Sequence, residues 1–187
     1  MPLLLASTYE KAARMVIDSY YIPTALEVIS ELCELTGDSM NATKKMLDLG
    51  AGPGYLPIEI AKRVQNIQID GIDPLSISVK IAKKNADRAG LGERVLFSVG
   101  DASKLQFNEI SYDMIVSTGV LHELKDPIKV LNESYRVLKP GGKVFIHDPA
   151  RVSAGIDRKK WKDSLNFFEK IIFGLFSLSN KIKPPAT

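Results

Sequence analysis

Cysteine is nearly absent from this chain. Its 187 residues hold one, Cys33. That excludes a disulfide framework and a cysteine-built metal cluster. Histidine is almost as scarce, with only His122 and His147. Two imidazoles far apart in sequence, with no ligand spacing between them, predict no metal site. Long apolar runs are missing too: none reaches the roughly 20 residues of a membrane-spanning helix. The Leu3-Leu4-Leu5-Ala6 run has no basic residue ahead of it, which argues against a secretory leader. Strong charge of one sign is also lacking. The net charge is +3; after residue 150 eight Lys/Arg face three Asp/Glu, so residues 1–150 carry −2. A chain-wide basic footprint for nucleic acid is therefore absent. With a lone thiol, a reducing cytoplasm is the expected setting.

A sizeable core is present. Apolar residues make up 45% of the chain, enough for one domain of this length. Over residues 9–35 the apolar positions Val16, Ile17, Tyr20 and Tyr21, then Leu26, Ile29 and Leu32, recur at helical spacing. This predicts an N-terminal helical cap over 1–40, broken near Pro23. Beyond it the pattern alternates. Short apolar runs at 45–49, 68–72, 95–99, 114–117 and 143–147 predict strands, and 55–64, 76–89 and 128–138 predict helices. Strands alternating with helices in this way predict an α/β fold: a doubly wound, mainly parallel sheet with helices on both faces, over 41–150. Ligands on such sheets bind at the carboxyl ends of the strands.

Those ends are polar. The first is the run Asp48-Leu49-Gly50-Ala51-Gly52-Pro53-Gly54, between a strand and a helix. Alternate glycines let a backbone take positive φ and approach a ligand closely. The following helix should point its free N–H groups into the turn. Asp48 adds a carboxylate, which suits a ligand with a cationic or zwitterionic part. A dinucleotide turn needs G-x-G-x-x-G; here the third glycine comes one residue early and position 55 is Tyr55. The second strand ends in Asp73-Pro74, the third in Gly100-Asp101-Ala102, and the fourth in Ser117-Thr118-Gly119. Asp73 suits a ribose diol and Asp101 the exocyclic amine of adenine. Ile72 and Leu75 are placed to sandwich a base.

Five segments in order carry a family resemblance. They are the Met46–Gly54 run, Gly71-Ile72-Asp73-Pro74-Leu75, Val99-Gly100-Asp101-Ala102, Tyr112-Asp113-Met114-Ile115-Val116-Ser117 and Arg136-Val137-Leu138-Lys139-Pro140-Gly141-Gly142-Lys143. Together the segment over about 45–150 resembles the class I S-adenosylmethionine-dependent methyltransferases, of Rossmann-like fold. The resemblance implies S-adenosyl-L-methionine as cofactor, S-adenosyl-L-homocysteine as product and a small-molecule acceptor. It implies cofactor contacts from Asp48, Gly50, Ala51, Gly52, Gly54, Asp73, Pro74, Asp101, Ala102, Ser117 and Thr118. The Pro140-Gly141-Gly142 turn would set up the fifth strand.

The acceptor side is less marked. The Asn/Asp-Pro-Pro-Tyr motif of enzymes that methylate base amines or glutamine is absent: the fourth strand leads into Ser117-Thr118-Gly119-Val120. His122, just beyond, is a candidate general base or acceptor orienter. His147 and Asp148, with Arg151 at the tip of the fifth strand, are candidates for binding an acidic acceptor or moving a proton. Tyr9, Tyr20 and Tyr21 could shield a sulfonium by cation–π contact.

Residues 151–187 depart from the family pattern, which closes its sheet with two further strands. Here strands 6 and 7 are not evident, and Trp161, Phe167, Phe168, Ile171, Phe173 and Phe176 among lysines predict one apolar, basic helix. It would cover the edge of the fifth strand, pair with a second copy or partner chain, or meet a membrane surface. Two other functions fit less of the chain. One is a cofactor-binding subunit that needs a partner for activity, the other an NAD-dependent oxidoreductase.

Overall fold

The computed structural model describes residues 16–36, 42–120 and 124–147. Tyr9, His122, Asp148, the C-terminal helix and the question of strands beyond the fifth lie outside the described residues.

A short π-helical turn, Ile17–Tyr21, runs directly into helix α1, Ile22–Thr36. Then follow β1 (Lys44–Leu49), α2 (Tyr55–Arg63), β2 (Ile67–Asp73), α3 (Ser76–Arg88), β3 (Val95–Val99), β4 (Tyr112–Thr118), α4 (Pro127–Val137) and β5 (Leu138–His147). The strands form one sheet in the order β3-β2-β1-β4-β5, and every neighbouring pair is parallel. The chain runs outward from β1 to β3 and returns to the other side of β1 with β4. Parallel neighbours need long crossovers, and right-handed crossovers send helices to opposite faces on the two sides of β1.

The buried residues record this division. On one face Met46, Ile69, Phe97, Met114 and Val116 pack with Val28 of α1, Ile58 and Ile60 of α2 and Ala82 of α3. On the other, Leu47, Leu49, Ile72 and Ile115 pack with Leu105 and with Val130 and Val137 of α4. The fold is thus the expected doubly wound parallel sheet. Its switch point lies between β1 and β4, which opens a crevice at their carboxyl ends.

Two local expectations are corrected. The N-terminal helix is rewound at Pro23 rather than broken. Proline has no N–H, and its ring crowds the carbonyl one turn back. The turn before it widens to i→i+5 bonding, with the Ile22 N–H donating to the Ile17 carbonyl. The Thr24 hydroxyl donates to the Tyr20 carbonyl at 2.8 Å. At the other end of the sheet, Pro140-Gly141-Gly142 does not precede β5 but lies inside it. Tyr112 pairs with Leu138 and Met114 with Lys143, so the segment between is extruded as a register shift. Gly141 takes φ 78° there.

Candidate active site

The turn between β1 and α2 has positive φ at each glycine: 75° at Gly50, 53° at Gly52 and 78° at Gly54. Space separates their roles. A Cβ on Gly50 would collide with the Val120 side chain, and one on Gly54 would lie 2.6 Å from Phe97 Cζ. A Cβ on Gly52 would meet nothing within 4 Å among the described residues. The outer glycines are demanded by packing, and the middle one marks the open mouth of the turn.

The amides of this turn are engaged by the protein. The Gly50 and Ala51 N–H groups both donate to the Ile72 carbonyl at 2.9 Å, and Gly54 N–H to the Ala51 carbonyl at 2.9 Å. Gly52 N–H donates to Asp73 Oδ2 at 3.0 Å. Pro53 has no N–H, and its carbonyl accepts from Asn85 Nδ2 at 2.9 Å. The N–H groups of Gly50, Ala51, Gly52 and Gly54 are thus all engaged within the protein. Carboxylates, not amides, give this site its electrostatic character.

Strand register collects those carboxylates. Asp48 stands opposite Gly71 of β2 and Val116 of β4. Side chains alternate along a strand, so Asp48, Asp73 and Thr118 share the α1–α3 face of the sheet. His147 joins them, since it pairs with Thr118. Asp48 is 1% exposed, and its Oδ1 has no hydrogen-bond partner among the described residues. Burial, and behind it the negative Asp73, push its carboxyl from 3.8 up to about 7. Asp73 is also buried, and its Oδ1 accepts from the Leu75 N–H at 2.9 Å. It thereby ties the glycine turn to the tip of β2 and retains free lone pairs on both oxygens.

The remaining predicted residues fall around this centre. Asp101 is exposed after β3, and its Oδ1 accepts from the Ser103 N–H at 2.8 Å. That backbone hydrogen bond holds its carboxyl below the usual range. Ala102 is half-buried against the second core cluster, and Pro74 is exposed beside Asp73. Ser117 is buried between Leu49 and Ile146, in register with both. The sandwich expected of Ile72 and Leu75 is half corrected: Ile72 is 3% exposed inside the core, whereas Leu75 is 60% exposed.

A row of rings borders the site. Tyr55 lies 5.5 Å from Tyr21, Tyr21 lies 5.1 Å from Tyr20, and Tyr20 meets His147 edge-on at 5.6 Å. Burial pushes the Tyr21 hydroxyl up to about 12, helped by Tyr20, Asp48 and Tyr55, so it stays neutral. His147 Nδ1 is 3.9 Å from Glu27 Oε2 of α1. The sequence reading missed Glu27, Asn85, Val120, Phe97 and Gly71. Only Gly71 carried a signal, because a glycine inside a strand marks a close approach. A Cβ there would lie 2.6 Å from the Phe97 ring and 2.9 Å from Ala51 Cβ.

S-adenosyl-L-methionine fits these residues. It brings an ammonium and a sulfonium, both cationic, with a ribose diol and an adenine amine as donors. The protein offers three acids at successive strand tips and an orphaned buried acceptor. A pyrophosphate would meet Asp48 and Asp73 with like charge and find the turn amides engaged. Among the described residues no group of His, Cys, Asp and Glu is arranged to hold a metal ion.

Known proteins agree with this geometry. Norajmaline N-methyltransferase of Rauvolfia serpentina is 34% identical over 109 residues, which are 58% of this chain and 37% of that protein. Demethylmenaquinone methyltransferase of Lactobacillus johnsonii is 32% identical over 123 residues, 65% of this chain and 50% of that one. This chain thus spans half or less of the length of these curated relatives. Among solved structures, the [4+2]-cyclase SpnF superposes with TM-score 0.57 at 32% identity, covering 64% of this chain and 43% of its own. A Methanococcus maripaludis structure shares the fold with TM-score 0.64 at 23% identity, covering 91% of this chain and 81% of its own. The profile of a methyltransferase domain matches residues 40–184. With most of its length accounted for by that one domain, the chain belongs to the methyltransferase-domain family.

Proposed function

We propose that the protein is an S-adenosyl-L-methionine-dependent methyltransferase that acts on a small molecule. The observation that carries the reading is the buried Asp48 Oδ1, without a hydrogen-bond partner among the described residues, at the head of an acidic row beside a turn that is open at Gly52. When bound, the cofactor supplies an electrophilic methyl on sulfur and leaves as S-adenosyl-L-homocysteine.

The residues of this chain bind, orient and exclude water. Asp48 faces the ammonium. Asp73 offers its remaining lone pairs to the ribose hydroxyls, and Asp101 Oδ2 accepts from the adenine amine. Leu75 lies against one face of the base. Gly50, Ala51, Gly52 and Gly54 hold the backbone where the amino-acid part must pass, and Pro74, Ala102, Ser117 and Thr118 complete the wall. Tyr20, Tyr21 and Tyr55 keep water from the reacting centre, whose main demand is alignment. His147, with Nδ1 toward Glu27, presents Nε2 as the acceptor-side base. The names of the relatives support a small-molecule acceptor: norajmaline and demethylmenaquinone are both small. A cytoplasmic location belongs to the same reading and rests on the lone cysteine.

Calorimetry on the folded protein tests the proposal. S-adenosyl-L-homocysteine should bind with micromolar affinity, and NADH should show no fluorescence enhancement. Absence of heat with S-adenosyl-L-homocysteine, or binding of NADH in its place, overturns the reading.

A further inference from the structure

Helix α3 turns a mixed apolar and basic face outward. Its buried side is Val79, Ala82 and Ala86, at i, i+3 and i+7. The opposite side carries Ile77, Ile81, Lys84 and Arg88, at i, i+4, i+7 and i+11, with Lys80 and Lys83 flanking them. Residues at that spacing fall on one line along a helix. Polar side chains belong on such an outward line, yet Ile77 is 62% and Ile81 39% exposed. The four cations are exposed too, and among the described residues none of them has an ion-pair partner. Elsewhere Lys62 and Arg63 share Glu59, and Arg136 holds Glu133. Asp87 is the one acid on α3.

A helix favours basic residues near its C-terminus, which accounts for Lys84 and Arg88. It does not account for two isoleucines on the same line. Aliphatic side chains among cations suit an anionic lipid surface: the cations meet headgroup phosphates and the isoleucines enter the acyl boundary. A nucleic acid rewards the cations alone. The partner must also be broad rather than grooved, because α3 is held by its buried side and offers only a convex strip.

We propose that the outward face of α3 is a docking surface for an anionic lipid membrane, with Ile77 and Ile81 inserted and Lys80, Lys83, Lys84 and Arg88 at the headgroups. The surface adjoins the ligand site, since α3 follows directly on the Asp73-Pro74-Leu75 tip of β2. A docked chain would hold the mouth of that site near the lipid, within reach of a lipophilic acceptor; this consequence alone rests on the methyl transfer proposed above.

Sedimentation of the full chain with vesicles tests the surface. The vesicles are phosphatidylcholine alone or an equimolar mixture with phosphatidylglycerol. The protein should pellet with the mixture and not with phosphatidylcholine, and high salt should weaken the binding. Lys80→Gln/Lys84→Gln should weaken it about twentyfold, since each cation at an anionic surface contributes roughly a fivefold factor. The same charge removed at Lys104 and Lys125, both exposed and outside α3, should change it little. Ile77→Ser/Ile81→Ser should weaken it by about tenfold or more. All these side chains are exposed, so the variants should keep the wild-type melting temperature in circular dichroism. In Ile81→Trp the added indole should shift to the blue on mixed vesicles and be quenched by brominated acyl chains, above the Trp161 signal of the wild type. If no vesicle binds the protein, or the indole stays unshifted, the inference falls. If mixed vesicles bind but both α3 double variants match wild type, another surface carries the binding and the inference falls as well. Binding that salt abolishes and Ile77→Ser/Ile81→Ser retains marks a site for a polyanion such as nucleic acid, and overturns the lipid assignment. None of these failures touches the methyltransferase reading, which stands or falls on calorimetry with S-adenosyl-L-homocysteine.

Discussion

At the scale of single residues, the site is governed by groups whose burial contradicts their chemistry. Asp48 is an acid in a place built for an apolar side chain. Its carboxyl protonates near 7 in the folded chain and near 3.8 when free. The native state therefore binds the extra proton between those values, and stability falls as pH rises through that window. At about 1.4 kcal/mol per pH unit, the loss is on the order of 4 kcal/mol as an upper bound. Asp48→Asn keeps the shape and removes the charge. Urea midpoints of wild type should fall relative to the variant between pH 4 and 7, then run parallel. Parallel curves throughout would exclude a buried titration at this position. Gly71 makes the opposite point about space. A Cβ there would overlap the Phe97 ring and Ala51, so Gly71→Ala should cost roughly 1–3 kcal/mol by overpacking. Adding Phe97→Leu should recover part of the loss, because residues in contact are not additive. Simple additivity in that double-mutant cycle would show that the ring is not the obstacle.

At the scale of elements, arginine forks join pieces that the sequence leaves separate. Arg94, just ahead of β3, donates to the carbonyls of Ala61, Val64 and Gln65 at 2.9 to 3.0 Å. These lie at the C-terminal end of α2, where carbonyls lack helical partners and a cation is favoured. Arg136 does the same for the loop before β4, reaching the carbonyls of Leu105 and Phe107 at 2.9 Å. Only the planar guanidinium spans several carbonyls at once, so lysine is no substitute. Arg94→Met should destabilise by about 2 kcal/mol, and Arg94→Lys should restore little of it. Full recovery with lysine in chemical denaturation would mean that charge alone suffices. The π-helical turn is the other element-scale device. One extra residue in the winding at Pro23 sets Tyr20 and Tyr21 against His147 and Tyr55, and no periodicity in the sequence announced it.

At the scale of the whole molecule, the sheet order brings the tips of all five strands to one edge, and a ligand there touches many elements at once. Binding should therefore stabilise the fold globally. At a hundred times its dissociation constant, S-adenosyl-L-homocysteine should add about 2.7 kcal/mol. For a domain of this size that corresponds to a rise in melting temperature of roughly 5–10 °C. The rise should be smaller with 5′-methylthioadenosine, which leaves Asp48 unpartnered. An equal rise with both ligands would place the binding energy in the nucleoside alone. The chain spans half or less of the length of the relatives described above, so this ligand-linked stability is the property of the methyltransferase domain that can be tested on the chain as it stands.

Order and type of the elements were legible from neighbours in the chain. Turn chemistry, strand runs and helical spacing are local, and they placed β3 at its observed limits and most other boundaries within a residue or two. The start of β5 was missed because its pairing resumes only after the Pro-Gly-Gly extrusion, and register is set by β4 rather than by β5 itself. The acids at the strand tips were legible for the same local reason, since each ends an apolar run. What those acids do was decided by tertiary structure. Whether Asp48 is buried, whether the turn amides are free, and whether Ile72 or Leu75 faces outward depend on strands and helices distant in sequence. Hydrogen-bond partners and desolvation are properties of the assembled site. A sequence names the groups; the fold determines which of them are left without a partner.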